Sequence, residues 1–132
     1  MIHTIYNPKL VRNYFDFEDI KTFTGVVKDK HNTVVYYLNG KFHREDGPAI
    51  TCLDSKWWYL HGKRHRTDGP AVTYTNGTTE WFLNGEYHRE DGPAIEYYYG
   101  DKEWYLNGKR YGCNDDFTNE SWIRFAKLEL LR

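Results

Sequence analysis

The sequence predicts a mostly β protein: an elongated antiparallel meander of repeated β-hairpins forming a single twisted sheet, closed by a C-terminal capping α-helix. Three observations lead there. A unit of 22–23 residues recurs along the chain, each unit carries a Gly turn between short aromatic runs, and the last twenty residues change to a helical pattern.

The repeat is read from its turns. Leu38-Asn39-Gly40-Lys41 returns as Leu60-His61-Gly62-Lys63, Leu83-Asn84-Gly85-Glu86 and Leu106-Asn107-Gly108-Lys109, with the glycines 22, 23 and 23 residues apart. A second block follows each of the first three turns. His43-Arg44-Glu45-Asp46-Gly47-Pro48-Ala49 becomes His65-Arg66-Thr67-Asp68-Gly69-Pro70-Ala71, then His88-Arg89-Glu90-Asp91-Gly92-Pro93-Ala94. The fourth copy decays after its turn into Arg110-Tyr111-Gly112-Cys113, and Thr24-Gly25-Val26-Val27 looks like a half-copy upstream.

Each unit reads as two strands. Asn-Gly between apolar runs signals a type I′ hairpin, because both central residues must take positive φ. The strand before the turn is short and aromatic, over residues 34–38, 56–60, 79–83 and 102–106. The strand after it is interrupted by Asp-Gly-Pro, where proline cannot donate to a ladder, so a bulge or bend is expected in every unit. About seven to nine strands follow, with no helix inside the repeats. Alternation places Leu38, Leu60, Leu83 and Leu106 with Tyr36, Trp58, Trp81 and Trp104, the expected structural stripe. The opposite face carries Tyr37, Tyr59, Phe82 and Tyr105, then Val35, Trp57, Glu80 and Glu103, and is expected to be a solvated contact surface.

The tail differs. Asn114-Asp115-Asp116 offers N-cap candidates and acid at a helix N-terminus, and Trp122, Ala126 and Leu130 recur at i, i+4, i+8. A helix over residues 116–130 would cover the last strand and hide a sheet edge. Asn7 and Pro8 suit a short helix through residues 11–14. The organisation is thus an N-terminal cap over 1–23, repeats over 24–112 and a C-terminal capping helix over 113–132; caps at both ends predict a complete array.

Composition excludes several classes. Lys plus Arg number 18 against 19 Asp plus Glu, so no bulk positive charge drives binding to nucleic acid or membrane. Aromatics reach 18% of the chain, which suits a thin sheet covered by large side chains. The two cysteines, Cys52 and Cys113, occupy unrelated points of the repeat and define neither a disulfide framework nor a zinc set. The first ten residues lack the apolar run of a signal peptide, and no stretch approaches the ~20 apolar residues of a membrane span. The expected compartment is cytoplasmic, meaning the host cytoplasm for a viral protein.

The His-Arg-x-Asp block invites a catalytic or metal reading. Spacing opposes it. Two strands per unit, ~4.8 Å apart, put His43, His65 and His88 ~10 Å from one another, too far to share a metal. Three equivalent copies also look like scaffold, since one active site needs one set. Asp46, Asp68 and Asp91 are therefore expected to cap backbone N–H groups at the bend, with Arg44, Arg66 and Arg89 pairing with acids of neighbouring units. No catalytic set, metal ligand set or cofactor motif is expected. The binding surface is expected on Tyr37, Trp57, Tyr59, Phe82 and Tyr105, with Arg64 and Arg110 beside them, because Tyr, Trp and Arg dominate interface hot spots.

The units resemble MORN repeats over about residues 24–112, in the aromatic strand, the Asn-Gly-Lys turn of Trp104-Tyr105-Leu106-Asn107-Gly108-Lys109, and the 23-residue period. The His-Arg-Glu-Asp-Gly-Pro-Ala form is similar to MORN-like proteins of phages, large DNA viruses and bacteria, including the YwqK-type antitoxin-like group. It departs from usual MORN units, which place Gly-x-Gly where this chain has Arg89-Glu90-Asp91-Gly92. The resemblance implies a sheet of hairpins and a role in protein–protein contact. The expected function is a non-catalytic module binding a protein partner from a host or competing genetic element, such as a defence or toxin component. The alternatives are a dimeric sponge for a nucleotide-like ligand, an antitoxin-like protein or a virion assembly component. The homo-oligomeric state is left open by the sequence.

Overall fold

The computed structural model describes residues 4–5 and 21–132. Most of the expected N-terminal cap, including its helix through residues 11–14, lies outside them. As predicted, the chain is mostly β: an open antiparallel meander followed by one C-terminal helix.

The main sheet runs in space through Thr4–Ile5, Gly25–Lys28, Val34–Leu38, Ile50–Cys52, Ser55–Trp57, Val72–Thr73, Thr79–Glu80, Ile95–Glu96, Lys102–Leu106 and Lys109–Cys113. Thr4–Ile5 joins Gly25–Lys28 in parallel; the following pairings are antiparallel. Cross-strand partners lie on one face of a sheet, and the register gives one continuous row: Val27, Val35, Ile50, Trp57, Val72, Glu80, Ile95, Glu103 and Cys113. The row on the other side is polar, running Thr51, Lys56, Thr73, Thr79, Glu96 and Lys102.

The expected continuous strands over 56–60 and 79–83 are each broken, at Trp58 and Trp81. Below the break Ser55–Trp57 belongs to the main sheet; above it Tyr59–Leu60 pairs only with Lys63–Arg64 in a separate two-stranded ladder. Phe82–Leu83 and Glu86–Tyr87 form the equivalent ladder one unit later. The cause is a change of partner. Trp58 N–H donates to Ala71 O at 2.7 Å, while Trp58 O accepts from His65 N–H at 3.1 Å, and Trp81 repeats both bonds with Ala94 and His88. The Asp-Gly-Pro excursion therefore divides these two strands between ladders. Val34–Leu38, whose Tyr36 makes the same two bonds with Ala49 and His43, stays continuous because Gly25–Lys28 pairs along its other side.

The turns behave as their sequence requires. Asn39-Gly40, His61-Gly62, Asn84-Gly85 and Asn107-Gly108 all have positive φ, from 48° to 84°. Successive hairpin tips are stitched together: Gly62 N–H donates to Phe42 O, Gly85 N–H to Arg64 O and Gly108 N–H to Tyr87 O, at 2.8–2.9 Å. The shorter 22-residue spacing arises at the opposite turns. Cys52 pairs directly with Ser55 across Leu53-Asp54, forcing Leu53 to φ 53°, whereas the longer turns use Gly77 and Gly100 at positive φ.

The weight of the two faces is the reverse of that expected. Val35, Val72, Phe82 and Ile95 are buried on the face read as a solvated contact surface. Of the four aromatic/Leu pairs in the expected stripe, only Trp104 and Leu106 are both buried, and they lie under the helix with Trp122 and Ala126. Trp58, Leu60, Trp81 and Leu83 remain half-buried. That helix is Asn119–Leu130, later than expected: Asn114–Asp116 forms a 3-10 turn, and Thr118 caps the helix by accepting from Ser121 N–H at 3.1 Å. Leu130, the expected third member of its apolar stripe, is exposed.

Candidate functional site

The His, Arg, Asp, Gly, Pro and Ala of each block all have structural partners, and two differ from expectation. The arginine side chains do not pair with acids of neighbouring units. Arg44, Arg66 and Arg89 pair within their own unit with Asp46, Asp68 and Asp91, two residues on, at 2.8–2.9 Å. Those aspartates accept chiefly from guanidinium, with a backbone N–H as the lesser partner at Asp46 and Asp68. A charged guanidinium N–H makes a stronger bond to a carboxylate than a neutral amide N–H does. It holds Asp46 and Asp68 below the ordinary carboxylate value. The same guanidinium groups lie over Tyr36, Trp58 and Trp81, 3.9–4.1 Å from the ring centroids, and donate to Pro48 O, Pro70 O and Pro93 O. Glycine follows because the guanidinium occupies its side-chain space: a Cβ on Gly69 would stand 2.7 Å from Arg66 Cζ.

The histidines join units. His43 Nδ1 accepts from His61 N–H, His65 Nδ1 from Asn84 N–H and His88 Nδ1 from Asn107 N–H, at 2.9–3.0 Å. An accepting Nδ1 leaves Nε2 to donate, and in the third unit it meets Glu90 at 3.0 Å.

The expected binding residues do converge on one face. Tyr37, Phe42 and Tyr59 pack in sequence, with centroids 5.5 and 5.1 Å apart. Arg64 then lies over Phe82 at 5.3 Å, followed by Tyr87 and Tyr105 at 4.2 and 5.0 Å. Trp57 meets Tyr74 edge-on. Beneath this pile Glu80 is buried and accepts from Tyr87 Oη at 2.6 Å; one unit later Glu103 accepts from Tyr97 Oη at 2.6 Å and pairs with Arg110 at 3.3 Å. Burial first, then the Glu80 carboxylate, pushes the Tyr74 phenol up to about 12. The face is largely spent on itself. Phe82 is only 4% exposed and offers little to a partner.

Open space lies on the other face. A cleft of about 310 Å³ is lined by Arg44, Asp46, Trp58, Leu60, His65 and Arg66. Its counterpart one unit on, about 400 Å³, is lined by Arg66, Asp68, Trp81, Leu83, His88 and Arg89. Each has a Trp/Leu floor between two Arg–Asp pairs. The sequence carried one sign of these clefts: three Trp/Leu pairs and a C-terminal helix placed to cover the last strand.

Comparison of the chain with family models, with curated proteins and with solved structures gives no match.

Proposed function

We propose that the chain is a non-catalytic binding module whose repeat array holds a protein partner along its Trp/Leu face. The observation that carries this reading is the pair of open clefts built from equivalent residues of consecutive units. Apolar floors with charged rims suit protein contact, where aromatic and Arg anchors supply the energy and the rim supplies register. A stiff array also loses little freedom on binding. The repeated His joins successive units and the repeated Arg and Asp pair within each unit, which argues for scaffold over chemistry. The MORN-like form of the units supports a partner from a host or competing genetic element, such as a defence or toxin component, met in the cytoplasm.

Affinity capture with the native chain and with Thr67→Arg tests the reading, since Thr67 is exposed and borders both clefts. The expected result is a protein retained by the native chain and lost with Thr67→Arg. Retention of the same protein by both forms removes the clefts from the account. A small molecule released from the denatured pure protein, detected by mass spectrometry, would favour the nucleotide-like sponge instead.

A further inference from the structure

The two open clefts have a third counterpart, and it is filled. One unit beyond Trp81 and Leu83 stand Trp104 and Leu106, and Trp122 of the C-terminal helix seats its indole on them. Trp122 is fully buried, 5.4 Å from the Trp104 ring, and its Nε1–H donates to Arg89 O at 2.8 Å. Arg89 belongs to the preceding unit, as Arg66 does for the Trp81 cleft and Arg44 for the Trp58 cleft. The seat for an indole thus comprises a Trp/Leu floor from one unit and an arginine carbonyl from the unit before. Floor and carbonyl are both present at the open clefts, where Arg66 and Arg89 also lie over the Trp58 and Trp81 rings, and nothing among the described residues donates to Arg44 O or Arg66 O. The exposed rim carries Glu45, Asp46, Asp68, Glu90 and Asp91; the aspartates are paired with arginines, which leaves Glu45 and Glu90 as the acids in excess.

We infer that the open clefts accept an amphipathic α-helix of a partner protein, which places a tryptophan on Trp58/Leu60 or Trp81/Leu83 as Trp122 is placed on Trp104/Leu106, with Lys or Arg along its flanks to meet the acidic rim. This rests on the protein-binding reading and gives that partner its shape. The clefts continue a surface the chain already covers with a helix of its own, so the geometry of the occupied site supplies the template. Exposed carboxylates on either side select basic flanks and speed encounter, without contributing most of the affinity.

The probe is a synthetic peptide of residues 117–132, as it stands and with Glu120→Lys, titrated into the full chain while the indole N–H signals of its tryptophans are followed by NMR. The expected result is saturable movement of the Trp58 and Trp81 signals with Trp104 unchanged. Glu120→Lys should tighten binding, Trp122→Ala in the peptide should weaken it at least tenfold, and Thr67→Arg in the chain should abolish it. Movement of Trp104 alone, equal binding by the Trp122→Ala peptide, or no movement of Trp58 and Trp81 overturns the inference. So does a concentration-dependent dimer by light scattering, in which a second copy's helix fills the clefts, or nuclear Overhauser contacts from residues 1–20 to the Trp58 indole. The two readings fail separately. A captured protein that Thr67→Arg loses, but whose cross-links to the clefts lie in strands or loops, leaves the binding module standing and removes the helix.

Discussion

At the scale of single residues, the His-Arg-x-Asp-Gly-Pro-Ala block is a set of complementary constraints. The aromatic ring and the glycine enclose the guanidinium, aspartate fixes its orientation, the proline carbonyl accepts from it, and alanine, fully buried in all three units, supplies the carbonyl that accepts from the backbone N–H of the aromatic residue. Gly69→Ala should therefore evict Arg66 and lower stability by about 1–3 kcal/mol, read as a drop in melting temperature. An unchanged midpoint would show that the guanidinium can leave without cost. Asp46 and Asp68 give the acid behaviour. Their folded values are lowered from 3.8 by the arginines, so the stability they contribute is complete above 3.8 and is lost as pH falls through the depressed values. The melting temperature should decline there, and Asp68→Asn should make that decline shallower. The importance of this block was legible in the sequence; its wiring was not. Equal spacing cannot say whether an arginine meets the aspartate two residues away or an acid one unit away, because both recur with the same period.

Among the elements, the turns and the helix divide in the same way. Asn-Gly hairpins were legible because positive φ at two successive residues leaves few sequences to choose from. The breaks at Trp58 and Trp81 were not, since alternation presumes a straight strand and the deciding acceptors, Ala71 O and Ala94 O, lie 13 residues further on. The helix start was misplaced because three acidic or amide residues at 114–116 outweighed a Thr118/Ser121 cap, which lacks the usual Glu or Gln. Leu53 marks a local cost. A left-handed conformation is unfavourable for leucine, and its side chain is 77% exposed, so nothing offsets the strain. Leu53→Gly should raise stability by up to about 1 kcal/mol, seen as a higher denaturant midpoint at unchanged slope. Trp122→Ala should cost about 3–5 kcal/mol and expose the Trp104 indole, which a red shift of intrinsic fluorescence would report. Loss of stability without that shift would mean that the helix stays seated without its anchor.

Over the whole molecule, stability is shared between two parallel systems: the main-sheet row from Val27 to Cys113, and the stitched hairpin tips above it. Neighbouring units touch through both, as in other linear arrays. The phenols packed against Glu80 and Glu103 set an alkaline limit for this interior. Tyr74 is raised from 10.0 to about 12, mainly by burial, so its contribution is complete below 10.0 and disappears as pH rises through about 12. Thermal denaturation across that interval should show a steady fall, reduced in a Tyr74→Phe chain. The face expected to bind packs much of its surface on itself, with Phe82 buried and Tyr37, Trp57, Tyr59 and Tyr105 half-buried. A hydrophobic period identifies which residues share a side, but which side finds a cover is decided by the helix and by the arginines.

The seating of one indole on the last Trp/Leu pair bears on how such a chain can diversify. The cap recognises only the unit beneath it and the carbonyl of the unit before, so an in-frame duplication of 23 residues upstream would leave its docking undisturbed. Each duplication would add another vacant berth, ~10 Å further along, at the pitch of two strands. Valency in this architecture would then be inherited as a count of units, adjustable by recombination without a new fold or a new terminus.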